Sequence, residues 1–246
     1  MLEQLSLAVT GLFAAGATMM AVSHRIRVCD QVRCREDWIK YGVYAAIIVS
    51  VLLAAYISRW LLAIILLAIA IVGSLELRRA LPFGFINPTL IALPVGLLVK
   101  LSLAHLLLTL RGDWFASFAF IFLLVSINDS FAQLWGGLFC RHKLCPRLSP
   151  GKTIEGLIGG SLTTVASAVA LAPLIHGLTE TQAVCLGCAI AAAATAGDLL
   201  FSLIKRTLII KDFSGLLPGH GGVFDRFDSL IVAAPVAYWL GRLLGI

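Results

Sequence analysis

The stretch from Ser202 to Asp228, SLIKRTLIIKDFSGLLPGHGGVFDRFD, sets ionisable side chains and turn glycines between apolar pairs. Lys205, Arg206, Lys211 and Arg226 supply cations, and Asp225 and Asp228 supply carboxylates. Gly221 and Gly222 follow His220. A solvated linker would be polar throughout, and this segment is not. Glycine lets backbone N–H groups approach an anion closely, and fixed cations clamp phosphates. Carboxylates hold a divalent metal, most naturally Mg²⁺ with oxygen ligands and retained waters. Together these are the parts of phosphoryl or nucleotidyl transfer, which needs positioning and charge neutralisation more than a protein nucleophile.

A second polar stretch is Leu148 to Gly156, LSPGKTIEG. Ser149 or Thr153 can cap the helix that follows, with Glu155 near its positive end. Alternatively, Lys152 and the helix start form an anion site. Gly151-Lys152-Thr153 is no Walker loop, because the earlier glycine is missing at the required spacing. Two acids interrupt apolar runs: Asp129, flanked by Asn128 and Ser130, and Asp198. Charge inside a bilayer is costly and marks function by default; the bland alternative is a helix-ending acid or a salt bridge to Lys205 or Arg206.

The elements that must hold these groups are membrane helices. Of 246 residues, 60% are hydrophobic and 13% charged, against about 45–50% and about 25% in soluble domains. Uncharged runs cover 5–22, 41–58, 60–75, 80–99 and 156–179. A bilayer-spanning helix needs roughly 17–25 apolar residues, and these runs lack the period-2 alternation of barrel strands. The expected architecture is all-α: one polytopic helical domain over 1–246 with about eight spans, at 5–22, 41–58, 60–76, one within 80–110, 114–139, 156–176, 181–204 and 229–246. The segment 80–110, with Pro82, Pro88 and Pro94, reads as one kinked span or as a re-entrant piece plus a span. Residues 1–22 read as a first span, since no basic stretch precedes them.

Basic loops at 24–40, 141–152 and 205–226 mark the cytoplasmic side by the positive-inside rule. Eight crossings put all three on that side, so Asp129 and Asp198 fall in the inner halves of their helices, facing the compartment that holds nucleotides. Cys29, Cys34, Cys140 and Cys145 lie in these loops. Four thiolates can bind zinc, but their C-x4-C spacing favours free thiols. Cys185 and Cys188 are read as small apolar packers within a span, and His105 as a packed or interfacial residue.

The spacing Ser202-x2-Lys205-Arg206-x4-Lys211-Asp212-x-Ser214-x2-Leu217-Pro218-x-His220-Gly221-Gly222-x2-Asp225-Arg226-x-Asp228 resembles the defining motif of the CDP-diacylglycerol synthases, or phosphatidate cytidylyltransferases. Asn128 to Ala132 with Gly136 to Lys143, and Leu148 to Gly156, resemble two further blocks of that family. The likeness covers residues 125–246 well and the N-terminal half only as hydrophobic spans. It implies a Mg²⁺-dependent, many-helix enzyme in the lipid bilayer, often a homodimer, that turns CTP and phosphatidate into CDP-diacylglycerol and pyrophosphate. It also implies that Asp198 and Asp225 hold the Mg²⁺ and any second cation. Lys205, Arg206, Lys211 and Arg226 then contact the phosphates. Asn128, Asp129, Ser149, Lys152, Thr153, Glu155, Ser202, Gly221, Gly222 and Asp228 border the substrates. His220 is either a phosphate contact or a structural turn residue. Gln133 stands where the family usually has Tyr, and Gly151 where it has Lys or Arg, which bears on the lipid more than on the reaction. The rival readings are an isoprenoid alcohol kinase, an archaeol-type cytidylyltransferase and a membrane transporter. No nucleic-acid partner is expected.

Overall fold

A computed structural model of the chain describes residues 2–26, 31–81, 88–109, 114–139, 141–216 and 221–246. Among them are eight helices: α1 (Leu2–Ile26), α2 (Gln31–Ile57), α3 (Arg59–Ala80), α4 (Pro88–Thr109), α5 (Trp114–Phe139), α6 (Ile154–Leu171), α7 (Glu180–Thr207) and α8 (Phe224–Leu243). Six of these, α1, α2, α3, α5, α6 and α7, are long and apolar enough to cross a membrane. The protein is an integral membrane protein of the all-α class. The helices α4 and α8 fall short on described apolar length and on charge: α4 contributes Ile91–Leu106 as its apolar stretch, and α8 opens with Asp225, Arg226 and Asp228.

Helix α5 is the centre of the bundle. It packs against α1, α2, α4, α6, α7 and α8, and 72% of its most apolar window is buried, against 17% for α1. Apolar side chains on the outer helices, such as Trp60, Leu93 and Leu162, face outward, as lipid-facing residues do. Helices α5 and α6 approach closely because small residues meet. A Cβ on Gly160 would lie 2.8 Å from Ala132 Cβ, and one on Gly156 would lie 2.5 Å from the Ala132 carbonyl oxygen. Small residues four apart are the usual device for close helix contact in a bilayer, where water supplies no drive to associate.

Several boundaries differ from the sequence reading. The basic segment 24–40 is largely helical rather than loop. Helix α1 runs on to Ile26 and α2 begins at Gln31, because a helix satisfies its own backbone as well beyond the bilayer as within it. His24 Nε2, 3.2 Å from Asp37 Oδ2, ties the two ends together. Helix α8 likewise starts at Phe224, five residues earlier than expected, and takes Asp225, Arg226 and Asp228 into its first turns. The described part of 80–110 is a single helix, with Pro88 at its first position, where a missing N–H costs nothing, and Pro94 inside it. Residues 82–87 lie outside the described set. Lys143–Cys145 (β1) and Ser149–Thr153 (β2) form an antiparallel hairpin that the sequence did not announce. His105 is buried and packs edge-on to Tyr238 and Trp239. Cys185 and Cys188 are exposed on the outer face of α7 rather than packed inside.

Candidate active site

Helix periodicity builds the first half of the site. Asp198, Ser202 and Lys205 stand four and then three residues apart on α7, which places them on one face. Asp225 and Asp228, three apart on α8, share a face in the same way. The two faces meet because Gly197 leaves no side chain between the helices: a Cβ there would lie 3.0 Å from the Asp228 carbonyl oxygen. Asp198 is thereby brought beside Asp228, and each lies within electrostatic reach of the other. Asp129 of α5 lies within reach of both.

Cations line this group. Lys152, on β2, places Nζ 2.6 Å from Asp198 Oδ2. Lys205 Nζ is 2.8 Å from Asp225 Oδ1 and 3.9 Å from Asp228 Oδ2. Arg226 interacts electrostatically with Asp228. Its Nε is buried without a hydrogen-bond partner, and its side chain borders a small pocket with Tyr44, Ser126 and Phe227. On formal charges, four carboxylates (Asp129, Asp198, Asp225, Asp228) face three cations (Lys152, Lys205, Arg226). Clustered carboxylates repel unless positive charge lies among them.

Asp225 is the most tightly held of the four. Its side chain is 1% exposed, and its Oδ2 accepts the Phe213 and Gly222 amides, each at 2.9 Å. Gly221 precedes this contact with φ +78°, and a Cβ on it would press on Asp212 and Asp225 at 3.0–3.1 Å. Glycine is required here by both conformation and space. Phe201, Phe213 and Phe224 pack edge-to-face beneath the segment.

The remaining sequence candidates have mixed placements. Thr153 caps α6, its Oγ1 accepting the Gly156 amide at 3.0 Å. Glu155 in the first turn of α6 accepts from the His142 amide and pairs with His142 Nδ1 at 2.7 Å. Both residues are engaged in fixing the hairpin to the helix. Arg206 Nε donates to the Leu148 carbonyl at 3.2 Å, joining the end of α7 to the hairpin turn. Asn128 is buried and ties three helices, donating to Thr195 Oγ1 at 3.4 Å and accepting from Thr164 at 3.5 Å. Ser149 begins β2, and Lys211 is exposed after α7. His220, with Leu217, Pro218 and Gly219, lies outside the described residues, as do Cys29 and Cys140. One residue at the site escaped the sequence reading, Glu76 of α3. It is buried, and its carboxylate accepts from Ser214 and from the amides of Val223 and Phe224. Its only signal was an acid at the last position of the span expected at 60–76, next to Arg78 and Arg79.

The family model described as the cytidylyltransferase family matches residues 5–244. The chain belongs to the cytidylyltransferase family. Family relatives align over different shares of it. A protein of Escherichia coli (strain K12) named "Uncharacterized protein YnbB" is 43% identical over 123 residues, 50% of this chain and 41% of that protein. The phosphatidate cytidylyltransferase of Rickettsia felis is 34% identical over 171 residues, 67% of this chain and 72% of that one. The phosphatidate cytidylyltransferase of Rickettsia prowazekii is 33% identical over 222 residues, 83% of this chain and 94% of that one. The chain thus spans less than half of the Escherichia coli relative and most of the rickettsial ones. The family match takes in the N-terminal helices, including α3 with Glu76, beyond the 125–246 segment that carries the motifs.

Proposed function

We propose that this member of the family is a membrane-bound phosphatidate cytidylyltransferase, making CDP-diacylglycerol and pyrophosphate from CTP and phosphatidate at a site facing the cytoplasm. The observation that carries the reading is the pair of facing stripes on α7 and α8. Asp198 and Asp225 are each paired with one lysine there, in a family whose relatives of near-equal length bear that name.

Mg²⁺ suits these residues. The donors are all carboxylate oxygens, and the formal charge count leaves a cation short. Mg²⁺ is commonly bound by one or two carboxylates together with substrate phosphates and water. Asp198 and Asp225 would hold it, and bound there it would neutralise the crowded phosphates.

The chain's own groups do the rest. An oxygen of the lipid phosphate, already ionised near neutral pH, forms the new bond to the α-phosphorus of CTP. The bond from that phosphorus to the β-phosphate oxygen breaks, and pyrophosphate leaves. Lys152 and Lys205 would contact the triphosphate, since their side chains are long enough to turn from carboxylate to phosphate. Arg226, with a nitrogen lacking any partner, is the cation best placed for the lipid phosphate. A shallow apolar groove between α3, α4 and α8, bordered by Phe224 and Phe227, would take part of the lipid's apolar chain. A homodimer in the bilayer belongs to the same proposal.

The test is CTP labelled in cytidine or, in a parallel sample, at the γ-phosphate, incubated with the purified protein, Mg²⁺ and phosphatidate in detergent micelles. Label moving into the lipid fraction is the expected result. Transfer of a γ-phosphate label alone would instead identify a lipid kinase, and no transfer of either label would overturn the enzymatic reading.

A further inference from the structure

We propose that Glu76 is a positioning residue for the transfer, holding the glycine turn and the first turn of α8 in register with Asp225. The proposal depends on the cytidylyl-transfer reading above. Glu76 belongs to α3, in the half of the chain that carries none of the motif residues, and is 4% exposed. No Lys, Arg or His among the described residues forms an ion pair with it. A buried carboxylate without a counter-charge is costly unless hydrogen bonds replace the lost water. Here they do: Oε1 accepts the Ser214 hydroxyl at 2.6 Å and the Val223 amide at 3.1 Å, and Oε2 accepts the Phe224 amide at 2.9 Å. The two amides belong to the start of α8, whose positive end favours an anion.

Two carboxylates therefore grip one backbone segment. Asp225 takes the amides of Phe213 and Gly222, and Glu76 takes the next two, Val223 and Phe224. Together they use every amide from 222 to 224. The fit leaves no slack. A Cβ on Gly222 would lie 2.7 Å from Glu76 Oε2, and a Cβ on Gly73, one turn before Glu76, would lie 2.5 Å from the Phe224 ring. Displacing the Glu76 carboxylate frees the peptides on which the directions of Asp225, Arg226 and Asp228 depend. On the reading above Asp225 would hold the metal and Arg226 would meet the lipid phosphate, so the defect belongs in substrate affinity as well as in turnover.

The variants are Glu76→Ala and the near-isosteric Glu76→Gln, assayed for KM and kcat with CTP and phosphatidate, with folding followed by thermal unfolding in detergent. Glu76→Gln must set an amide N–H₂ against a backbone N–H. The expected order is therefore a several-fold rise in KM for CTP in Glu76→Gln and a fall of about 10–100-fold in kcat/KM in Glu76→Ala. A folded Glu76→Ala protein with wild-type KM and kcat, or with Vmax lowered at unchanged KM as a smaller folded fraction would give, overturns the proposal. If Glu76→Ala does not fold, Glu76→Gln decides by the same KM criterion, and failure of both to fold assigns Glu76 to stability alone and also overturns it. A wild-type protein that transfers no cytidylyl label would instead remove the reading on which the proposal stands.

Discussion

Lys152 Nζ stands 2.6 Å from Asp198 Oδ2, so the hairpin between α5 and α6 reaches the carboxylate face of α7. With the Arg206–Leu148 hydrogen bond at the end of α7, the pair joins two segments that the sequence could only describe separately.

Replacing Asp198 by alanine removes a carboxylate from the proposed metal-holding pair without opening a large cavity, since the residue is partly exposed. The expected loss in kcat/KM is at least about 10²–10³-fold, with a helical circular-dichroism spectrum like that of the wild type. Asp198→Asn is expected to need a higher Mg²⁺ concentration for half-maximal rate. Full activity in folded Asp198→Ala would dismiss Asp198 from the site.

Lys205 is the only cation in ion-pair contact with the buried Asp225 among the described residues. Lys205→Met leaves that carboxylate uncompensated, which typically costs about 3–5 kcal/mol and is read as a lowered midpoint of thermal unfolding. Adding Asp225→Asn removes the unpaired charge, so the double variant should recover much of the stability while staying inactive. Equal instability of the single and double variants would mean that the ion pair is not the source of the loss.

Thr153 separates capping from substrate binding. Its hydroxyl oxygen is taken by the Gly156 amide, so Thr153→Ala should cost about 1 kcal/mol of stability, and Thr153→Ser should restore it. Catalysis per folded molecule should change by less than tenfold. A larger loss in kcat, with the midpoint unmoved, would return Thr153 to the anion-site reading.

Gly156 meets the backbone of α5. A valine there puts its Cβ 2.5 Å from the Ala132 carbonyl oxygen, and forcing extra atoms into a close-packed contact costs about 1–3 kcal/mol. Gly151, whose added Cβ would meet nothing within 4 Å, is the control, and Gly151→Ala should unfold at the wild-type temperature. If the two variants behave alike, the small-residue contact between α5 and α6 contributes nothing.

Much of the molecule was legible before any fold was known. Apolar runs of bilayer length declare helices, because in lipid each backbone group must find its partner within its own segment. The positions of Asp198, Ser202 and Lys205 on one face follow from helical spacing alone. The motif around Lys211 to Asp228 named the reaction class because charged groups and glycines are so expensive in such a chain. Helix ends were the least legible feature. Hydropathy marks where apolar character stops, and α1, α2 and α8 continue past that point into charged sequence.

What the sequence alone determined is therefore local: the membrane class, the helical elements and the residue types that handle phosphate. Only the tertiary structure decided the partnerships. It set Lys152 on Asp198, Lys205 on Asp225, and Glu76 on amides 147 and 148 positions further along the chain. No period or spacing encodes such pairs. They arise where glycines such as Gly197 and Gly73 let helices approach, and where a buried carboxylate must find donors to replace the water it has lost.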